Sequence, residues 1–214
     1  PERSNKATAK MLNDKAKAYP ECMICKENEG FSNGSTHCRK TLRTVPMTLG
    51  GEEWFWQFSP YSYFNQHGIA VNSDHTPMKV DRSTLDKLLD FVDYMPNYFI
   101  GCNAALPIIG GSILTHDHFQ GGLKQLPMQK APALKKIKSE KFPYIDMCVV
   151  DWYNSVIRMS YTNKQNLAEC AESVINAWAD YSDESVDIIA KTDARHNRSE
   201  EHTSELQSQS NLVC

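Results

Sequence analysis

The sequence predicts an α+β protein built mainly on an antiparallel sheet with flanking helices. Residues 40–73 are rich in β-branched and aromatic side chains with only short, turn-like interruptions, which is typical of neighbouring antiparallel strands. Apolar residues recur at helical spacing at about 83–95 and about 163–181, with strand-like segments between these two stretches. This order of strands, helix, strands and helix favours an antiparallel sheet over a doubly wound parallel one.

Two helices are predicted in the first half of the chain. Residues 4–18 are polar and alanine-rich, and Pro20 closes that segment. The helix at about 83–95 has Ser83 in the N-cap position and ends before Pro96. Strands are predicted at 41–49, 52–64, 67–73, 98–104, 113–120, 146–152 and 155–161.

Composition and charge limit the classes of protein that the chain can represent. Of its 214 residues, 41% are hydrophobic and 23% are charged, which is typical of a soluble globular protein and not of a disordered tail or a fibre. The net charge of -3 provides no basic field for nucleic acid or an anionic membrane, and no apolar run reaches the roughly 18 residues of a membrane helix. We therefore expect a cytoplasmic protein with no nucleic-acid or membrane partner, whose seven cysteines are thiols or metal ligands.

The two ends of the chain suggest that the natural protein differs from this sequence. The chain begins with proline and not methionine, so we expect it to be a piece of a longer protein. Residues 198–208 have no apolar period and match the translation of a common sequencing-library adapter. The sequence therefore predicts one incomplete region at 1–197 and an artefact at 198–214, and His202 and Cys214 are left out of the site.

The most informative segment is Gly-Gly-Ser-Ile-Leu-Thr-His-Asp-His-Phe-Gln-Gly-Gly at 110–122. On an extended strand, side chains two positions apart share a face, so His116, His118 and Gln120 are expected to project together. A strand whose outer face is merely hydrated is the structural alternative. The flanking glycines favour a phosphate site, because a glycine-rich turn lets backbone amides approach a phosphate, and we expect Gly111 and Ser112 to contribute to it.

A second signal is the pair Cys22 and Cys25, whose two-residue gap lets both thiolates bind one tetrahedral zinc. A redox pair and two unrelated buried cysteines are the alternatives. A structural zinc needs two further ligands, and His75 is well placed in a loop between a strand and a helix. The other candidate histidines are His37, His67, His116, His118 and His196.

Three further groups have two interpretations each. Arg39 and Arg43 are four positions apart and could face an anionic ligand from one strand, or could lie on a solvated strand edge. The aromatic run at 54–58 is expected to be core or dimer interface, with stacking against the ring of a ligand as the minor alternative. The remaining cysteines are interpreted as ordinary buried thiols, namely Cys38, Cys102, Cys148 and Cys170.

The Cys-x-x-Cys pair, the Ser-Asp-His-Thr at 73–76 and above all the segment 110–122 resemble the hexose-1-phosphate uridylyltransferases, specifically their second bacterial class within the histidine-triad superfamily. The resemblance runs from about Tyr19 to Tyr161. It implies a histidine-triad-like fold, a homodimer when full length, and transfer of a uridylyl group from UDP-glucose to galactose 1-phosphate through a uridylyl-histidine. The roles that it implies are the nucleophile for His118, a phosphoryl contact for Gln120, a substrate contact for Asn103, and zinc ligands for Cys22, Cys25, His75 and His116.

The sequence departs from the better-studied first class in three places. Asp117 stands where proline is usual, the spacing from Ser112 to His116 is one residue longer, and 59–61 replaces an Asn-Asp pair that meets the ribose. The missing C-terminal half is expected to hold much of the hexose contact surface.

The residue types suit the chemistry independently of the resemblance. A neutral imidazole attacks phosphorus, and the Gln120 amide can donate to the phosphoryl oxygens. The resemblance and this chemistry together favour transfer over hydrolysis, because hydrolytic relatives have a third histidine where this chain has Gln120. The alternatives are a zinc-stabilised nucleotide-binding module without turnover, and a hydrolase or phosphorylase acting on another dinucleotide.

Overall fold

Three helices and two antiparallel sheets make up the part of the chain that the computed structural model describes, which comprises residues 19–34, 39–103, 113–192, 195–196, 204–207 and 211–213. The first eight strands are β1 (Thr44–Leu49), β2 (Glu52–Phe58), β3 (Gly68–Asn72), β4 (Phe99–Cys102), β5 (His118–Gly122), β6 (Ala133–Ile137), β7 (Asp146–Val150) and β8 (Ile157–Ser160). The last four are β9 (Lys191–Thr192), β10 (Arg195–His196), β11 (Ser204–Gln207) and β12 (Asn211–Val213). The helices are α1 (Arg82–Tyr94), α2 (Pro127–Lys130) and α3 (Lys164–Ala179). The α+β prediction is confirmed, and the topology is compatible with a histidine-triad-like fold.

The larger sheet has ten strands in the order β1-β2-β3-β5-β4-β11-β12-β8-β7-β6, and β9 pairs with β10 separately. The strand β5 lies between β3 and β4 and pairs antiparallel with both. In this register Val71 lies opposite His118, and Ile69 lies opposite Gln120. Strand β5 therefore presents its side chains from a position in the sheet that is hydrogen-bonded on both edges.

The main core lies on the face of the sheet that α1 and α3 cover. Phe119 and Trp54 are fully buried in it, and their rings stack with centroids 4.7 Å apart. A smaller apolar cluster contains Ile24, Phe55, Ile69 and Val71. Because side chains alternate along a strand, Phe119 enters the main core while His118 and Gln120 point to the other face, beside Val71 and Ile69.

The N-cap of helix α1 lies two residues earlier than the sequence predicts. Its N-cap is Asp81 and not Ser83, because the Asp81 carboxylate accepts the Thr84 backbone N–H at 3.1 Å while the Asp81 N–H donates to the Thr84 hydroxyl at 3.4 Å. This reciprocal pair is a capping box. Within the first turns of the helix, Asp86 forms an ion pair with Arg82 at 3.0 Å.

The predicted strand at 113–120 is wrong in its first half, since β5 begins only at His118. Ile113 has a φ of 58°, and the segment that follows it pairs with the loop after β3. The Asp117 N–H donates to the Thr76 carbonyl at 2.7 Å, and the Asp117 carbonyl accepts the Asn72 N–H at 3.0 Å. His116 therefore lies in a turn, and the expectation that it shares a strand face with His118 and Gln120 is wrong.

Other differences follow from exposure. The edge strand β6 was not predicted, because its side chains are mostly exposed and show no alternation. The predicted helix at 4–18 and the first three residues of the glycine-flanked segment at 110–122 lie outside the described residues. The tail contributes β11, which pairs with β4, and β12, which pairs with β8, while the interpretation of 198–214 as an artefact stays a prediction. No helix in the described ranges combines the length and apolar character needed to span a membrane.

Candidate functional site

Two cysteines and two histidines, far apart in sequence, converge beside the start of β5. Their candidate ligand atoms, from Cys22, Cys25, His75 and His116, all lie within 4.8 Å of one another. The two Sγ atoms are 3.3 Å apart, and the Nδ1 atom of His116 lies 3.2 Å from the Sγ of Cys22. The rings of His75 and His116 have centroids 4.4 Å apart. These four residues form one cluster that could hold a metal ion, which we call the Cys/His cluster.

The surroundings of the Cys/His cluster fit a metal better than a set of buried polar groups. The buried Nε2 atom of His75 has no hydrogen-bond partner among the described residues, which leaves its position open for a ligand bond. Two sulfurs and two imidazole nitrogens form a donor set typical of structural zinc. A hydrogen bond from the Cys25 thiol lowers the pKa of Cys22, while the same contact raises the pKa of Cys25, so Cys22 is the more readily ionised of the two.

Neighbouring groups hold the cluster residues in place. The fully buried Asn28 donates from Nδ2 to the carbonyls of Cys22 at 2.7 Å and Cys25 at 2.9 Å. The Nε2 atom of His116 lies 2.8 Å from the carbonyl oxygen of Asn72, so its N–H donates there and Nδ1 is left to face the cysteines. Both contacts fix ligand orientation without taking up a ligand atom.

The buried imidazole of His118 lies two residues after the cluster residue His116. Its Nδ1 lies 2.8 Å from the His116 carbonyl oxygen, so the proton of a neutral ring sits on Nδ1 and Nε2 carries the lone pair. Burial lowers the pKa of His118 to about 4, and the ring is therefore neutral at physiological pH. A neutral imidazole whose Nε2 carries the lone pair is the form required of a nitrogen nucleophile.

Amide groups surround the Nε2 side of His118. The Nδ2 atom of Asn103 lies 3.5 Å from His118 Nε2, and the Oδ1 atom of Asn103 accepts from Gln120 Nε2 at 3.3 Å. On its other side, Gln120 Oε1 lies 3.1 Å from His67 Nε2. The structure thus brings together three residues that the sequence analysis selected and adds His67.

His67 was considered in the sequence only as a possible zinc ligand, and it lies outside the Cys/His cluster. It precedes β3 by one residue and is 2% exposed. Its place could have been found from the register, since Ile69 lies opposite Gln120 and a residue two positions earlier points to the same face. The sequence alone does not provide that register.

The other predicted site residues have different outcomes. Gly111 and Ser112 lie outside the described residues. Arg39 and Arg43 precede β1, so the expectation of a shared strand face is wrong. The Arg43 guanidinium donates to the carbonyls of Lys40 at 3.2 Å and Leu42 at 2.7 Å, which commits part of it to the local backbone.

The structure tests the expectation that the aromatic run at 54–58 and the remaining cysteines are buried. Three residues of the aromatic run, Trp54, Phe55 and Trp56, are buried, whereas Phe58 is 60% exposed. Cys102, Cys148 and Cys170 are buried, as expected, and Cys38 lies outside the described residues.

Residue 117 is aspartate where proline is usual in the first class, and the local backbone hydrogen bonding accounts for this difference. The Asp117 N–H donates to the Thr76 carbonyl, and proline has no N–H with which to form this bond. The Asp117 side chain is buried near both acidic and basic groups, and burial raises the pKa of Asp117 to about 6. The backbone bond ties the segment between His116 and His118 to the loop that carries His75.

Comparisons with known proteins give one consistent name. The chain is 50% identical over 92% of its length to a galactose-1-phosphate uridylyltransferase of Bifidobacterium longum, of which it covers 38%. It is 45% identical over 92% of its length to one of Clostridium acetobutylicum and 45% identical over 90% to one of Lactococcus lactis, covering 40% and 39% of them. The chain thus spans about two fifths of the length of these curated relatives. No protein-family model matches the chain, and no solved structure matches it.

Proposed function

We propose that this chain, a homologue of the galactose-1-phosphate uridylyltransferases over nine tenths of its length, carries the nucleophile of an enzyme that transfers a uridylyl group from UDP-glucose to galactose 1-phosphate. The observation that carries the proposal is the state of His118, a buried neutral imidazole whose Nδ1 is tied to a backbone carbonyl. The assignment of this chain to the second bacterial class of these enzymes is part of the same proposal.

In the first half-reaction, His118 Nε2 attacks the phosphorus atom that bears uridine in UDP-glucose. A nitrogen–phosphorus bond forms, the phosphorus–oxygen bond to the leaving group breaks, and its electron pair departs with glucose 1-phosphate. Because this anion is stable, no general acid is required. The Asn103 amide lies beside Nε2, and the Gln120 amide is hydrogen-bonded to Asn103. From these positions amide N–H groups can donate to the phosphoryl oxygens as charge develops on them.

The second half-reaction reverses the same bonds. The adduct keeps its Nδ1 proton, so the ring carries positive charge that the His116 carbonyl oxygen at 2.8 Å stabilises. A phosphate oxygen of galactose 1-phosphate then attacks phosphorus, the nitrogen–phosphorus bond breaks, and His118 leaves as a neutral imidazole with UDP-galactose as the product. No net proton is gained or lost by His118.

We also propose that Cys22, Cys25, His75 and His116 hold a zinc ion. With four protein ligands, zinc would stabilise the local fold and provide no open position for chemistry. His116 then serves through its backbone, because its side chain belongs to the cluster while its carbonyl orients His118. This leaves His118 as the one histidine of the pair that is available for attack.

Intact-mass measurement tests the proposed function. The protein is mixed with UDP-glucose, quenched in alkali to preserve the nitrogen–phosphorus bond, and weighed under denaturing conditions. We expect the added mass of one uridylyl group in the original chain and none in His118→Asn. This variant is a matched control, since its side-chain amide can still donate to the His116 carbonyl while the nucleophilic nitrogen is absent.

The alternatives give different results in the same experiment. If the mass is unchanged but the protein binds UDP-glucose, the result contradicts the proposal and favours a binding module without turnover. Adducts formed from adenine dinucleotides but not from UDP-glucose favour the hydrolase or phosphorylase alternative.

Three broader expectations belong to the same proposal. The substrates are a UDP-sugar and a sugar phosphate, the location is cytoplasmic, and the full-length protein is a homodimer. Sedimentation of a full-length form tests the last of these.

A further inference from the structure

A single line of hydrogen bonds runs from the backbone before β3 to the proposed nucleophile. The Tyr63 N–H donates to His67 Nδ1 at 3.4 Å, and His67 Nε2 lies 3.1 Å from Gln120 Oε1. Gln120 Nε2 donates to Asn103 Oδ1 at 3.3 Å, and Asn103 Nδ2 lies 3.5 Å from His118 Nε2. We call these side chains the amide relay.

The direction of this relay is set at its first bond. A backbone N–H is always a donor, so His67 Nδ1 must be the acceptor and the proton of neutral His67 must lie on Nε2. That N–H then requires the oxygen of Gln120 to face it, which turns the Gln120 NH₂ group toward Asn103. Asn103 in turn presents its own NH₂ group to the lone pair of His118.

The reversed arrangement would place acceptors at the reaction centre. If the Gln120 amide rotated by half a turn, its NH₂ group would oppose the His67 N–H and its oxygen would oppose Asn103 Oδ1. Restoring the second contact would rotate Asn103 as well, and Asn103 Oδ1 would then face the lone pair of His118. Both amides would present oxygen where a phosphoryl transition state needs donors.

The segment that holds the origin of the relay is itself constrained. Ser62 and Gln66, which flank Tyr63 and His67, have φ values of 48° and 52°. Residues other than glycine adopt this conformation at a cost, and the surrounding structure must compensate for it. The His67 ring is buried and contacts two aromatic rings, with centroids 5.4 Å from Tyr63 and 4.4 Å from Phe64. These contacts restrict rotation of the His67 ring.

We propose that His67 is a positioning residue, which orients the Gln120 amide so that Gln120 and Asn103 donate toward the reacting phosphoryl group. His67 does not touch the nucleophile and acts only through Gln120. The inference rests on the proposed function, since it concerns uridylyl transfer at His118. Burial lowers the pKa of His67, which agrees with a neutral ring in this role.

Two substitutions separate orientation from loss of packing. In His67→Gln the side-chain NH₂ can reach the position of Nε2 and donate to Gln120. In His67→Asn the amide reaches only the position of Nδ1, so it can still accept from Tyr63 but cannot reach Gln120. We expect His67→Asn to slow adduct formation at saturating UDP-glucose by about 10- to 100-fold, less than the about 10²–10³-fold cost of removing an oxyanion donor itself. We expect the half-saturating concentration to change little and His67→Gln to recover most of the rate.

A double-mutant cycle with Gln120→Ala tests whether His67 acts through Gln120. In the Gln120→Ala background, His67→Asn should change the rate by less than about twofold. Equal effects of His67→Asn in both backgrounds, or equal rates in His67→Asn and the original chain, would overturn the inference. A rate in His67→Gln as low as that in His67→Asn would also count against it.

The tautomer of His67 provides a readout that does not depend on activity. Long-range ¹H–¹⁵N spectra of the original chain should show the proton on Nε2, and a proton on Nδ1 would overturn the inference even if His67 variants fail to fold. An original chain that forms no adduct but has the Nε2 proton contradicts the proposed function and leaves the orientation of Gln120 supported. An original chain that forms the adduct but has the proton on Nδ1 supports the proposed function and contradicts the proposed role of His67.

Discussion

Replacing Phe119 by alanine is expected to destabilise the protein strongly, although its two sequence neighbours of interest lie on the other face of the sheet. The Phe119 ring is fully buried and stacks on Trp54. A buried aromatic side chain removes about 150–250 Å² from water. At about 25 cal/mol/Å², this area corresponds to about 4–6 kcal/mol, part of which alanine retains. We therefore expect the free energy of unfolding to fall by about 3–5 kcal/mol.

Urea unfolding followed by tryptophan fluorescence, at a constant zinc concentration, measures this change. Phe58→Ala is the matched control, because Phe58 lies in the same sheet with its side chain 60% exposed, and we expect a change below about 1 kcal/mol. A loss below about 1.5 kcal/mol in Phe119→Ala would refute the placement of this ring in the core. Equal losses in the two variants would refute the alternation that sends His118 and Gln120 to the opposite face.

Three further substitutions test other parts of the structure. Asn28→Ala removes the donor to both cysteine carbonyls and should weaken zinc binding about 10- to 100-fold in a chelator competition. Lys26→Ala, at an exposed position of the same short helical turn, should leave zinc binding unchanged. Gly121→Ala would place a methyl group 2.2 Å from a backbone oxygen of β4, so we expect insoluble or unfolded protein, and a normal circular dichroism spectrum with an unchanged midpoint would contradict the β4–β5 register. The hydrogen-bonded ion pair with Lys87 lowers the pKa of Glu52; its contribution to stability is present above the ordinary glutamate pKa of about 4.3 and is lost as the pH falls through the lowered value. The difference in melting temperature between the original chain and Glu52→Gln should therefore shrink from pH 7 to about pH 3, and a constant difference would argue against the pair.

Local patterns predicted most elements of the fold but not their pairing. The aromatic and β-branched run at 40–73 correctly indicated β1, β2 and β3, because short links force neighbouring strands to pair antiparallel. The N-cap of α1 was placed at Ser83 because serine is a good cap. The choice between Ser83 and Asp81 depends on a reciprocal contact with Thr84 that appears only when the chain has a conformation.

The candidate site shows the same limit at longer range. The Cys-x-x-Cys spacing predicted a possible metal site, but the contact between Cys22 and His116 joins residues 94 positions apart. Their meeting depends on the order of strands in the sheet. The family resemblance, and no local pattern, indicated His116 as a ligand. His67 was missed because its role depends on the register between β3 and β5, and a single sequence does not encode register in any local signal.

The position of β5 has a consequence for motion. A strand that is hydrogen-bonded to neighbours on both edges opens only when two ladders break together, so its amide hydrogens should exchange with solvent at a free energy close to that of global unfolding. The proposed nucleophile therefore belongs to the slowest-exchanging part of the protein. We therefore expect the backbone that carries His118 to keep its position during turnover.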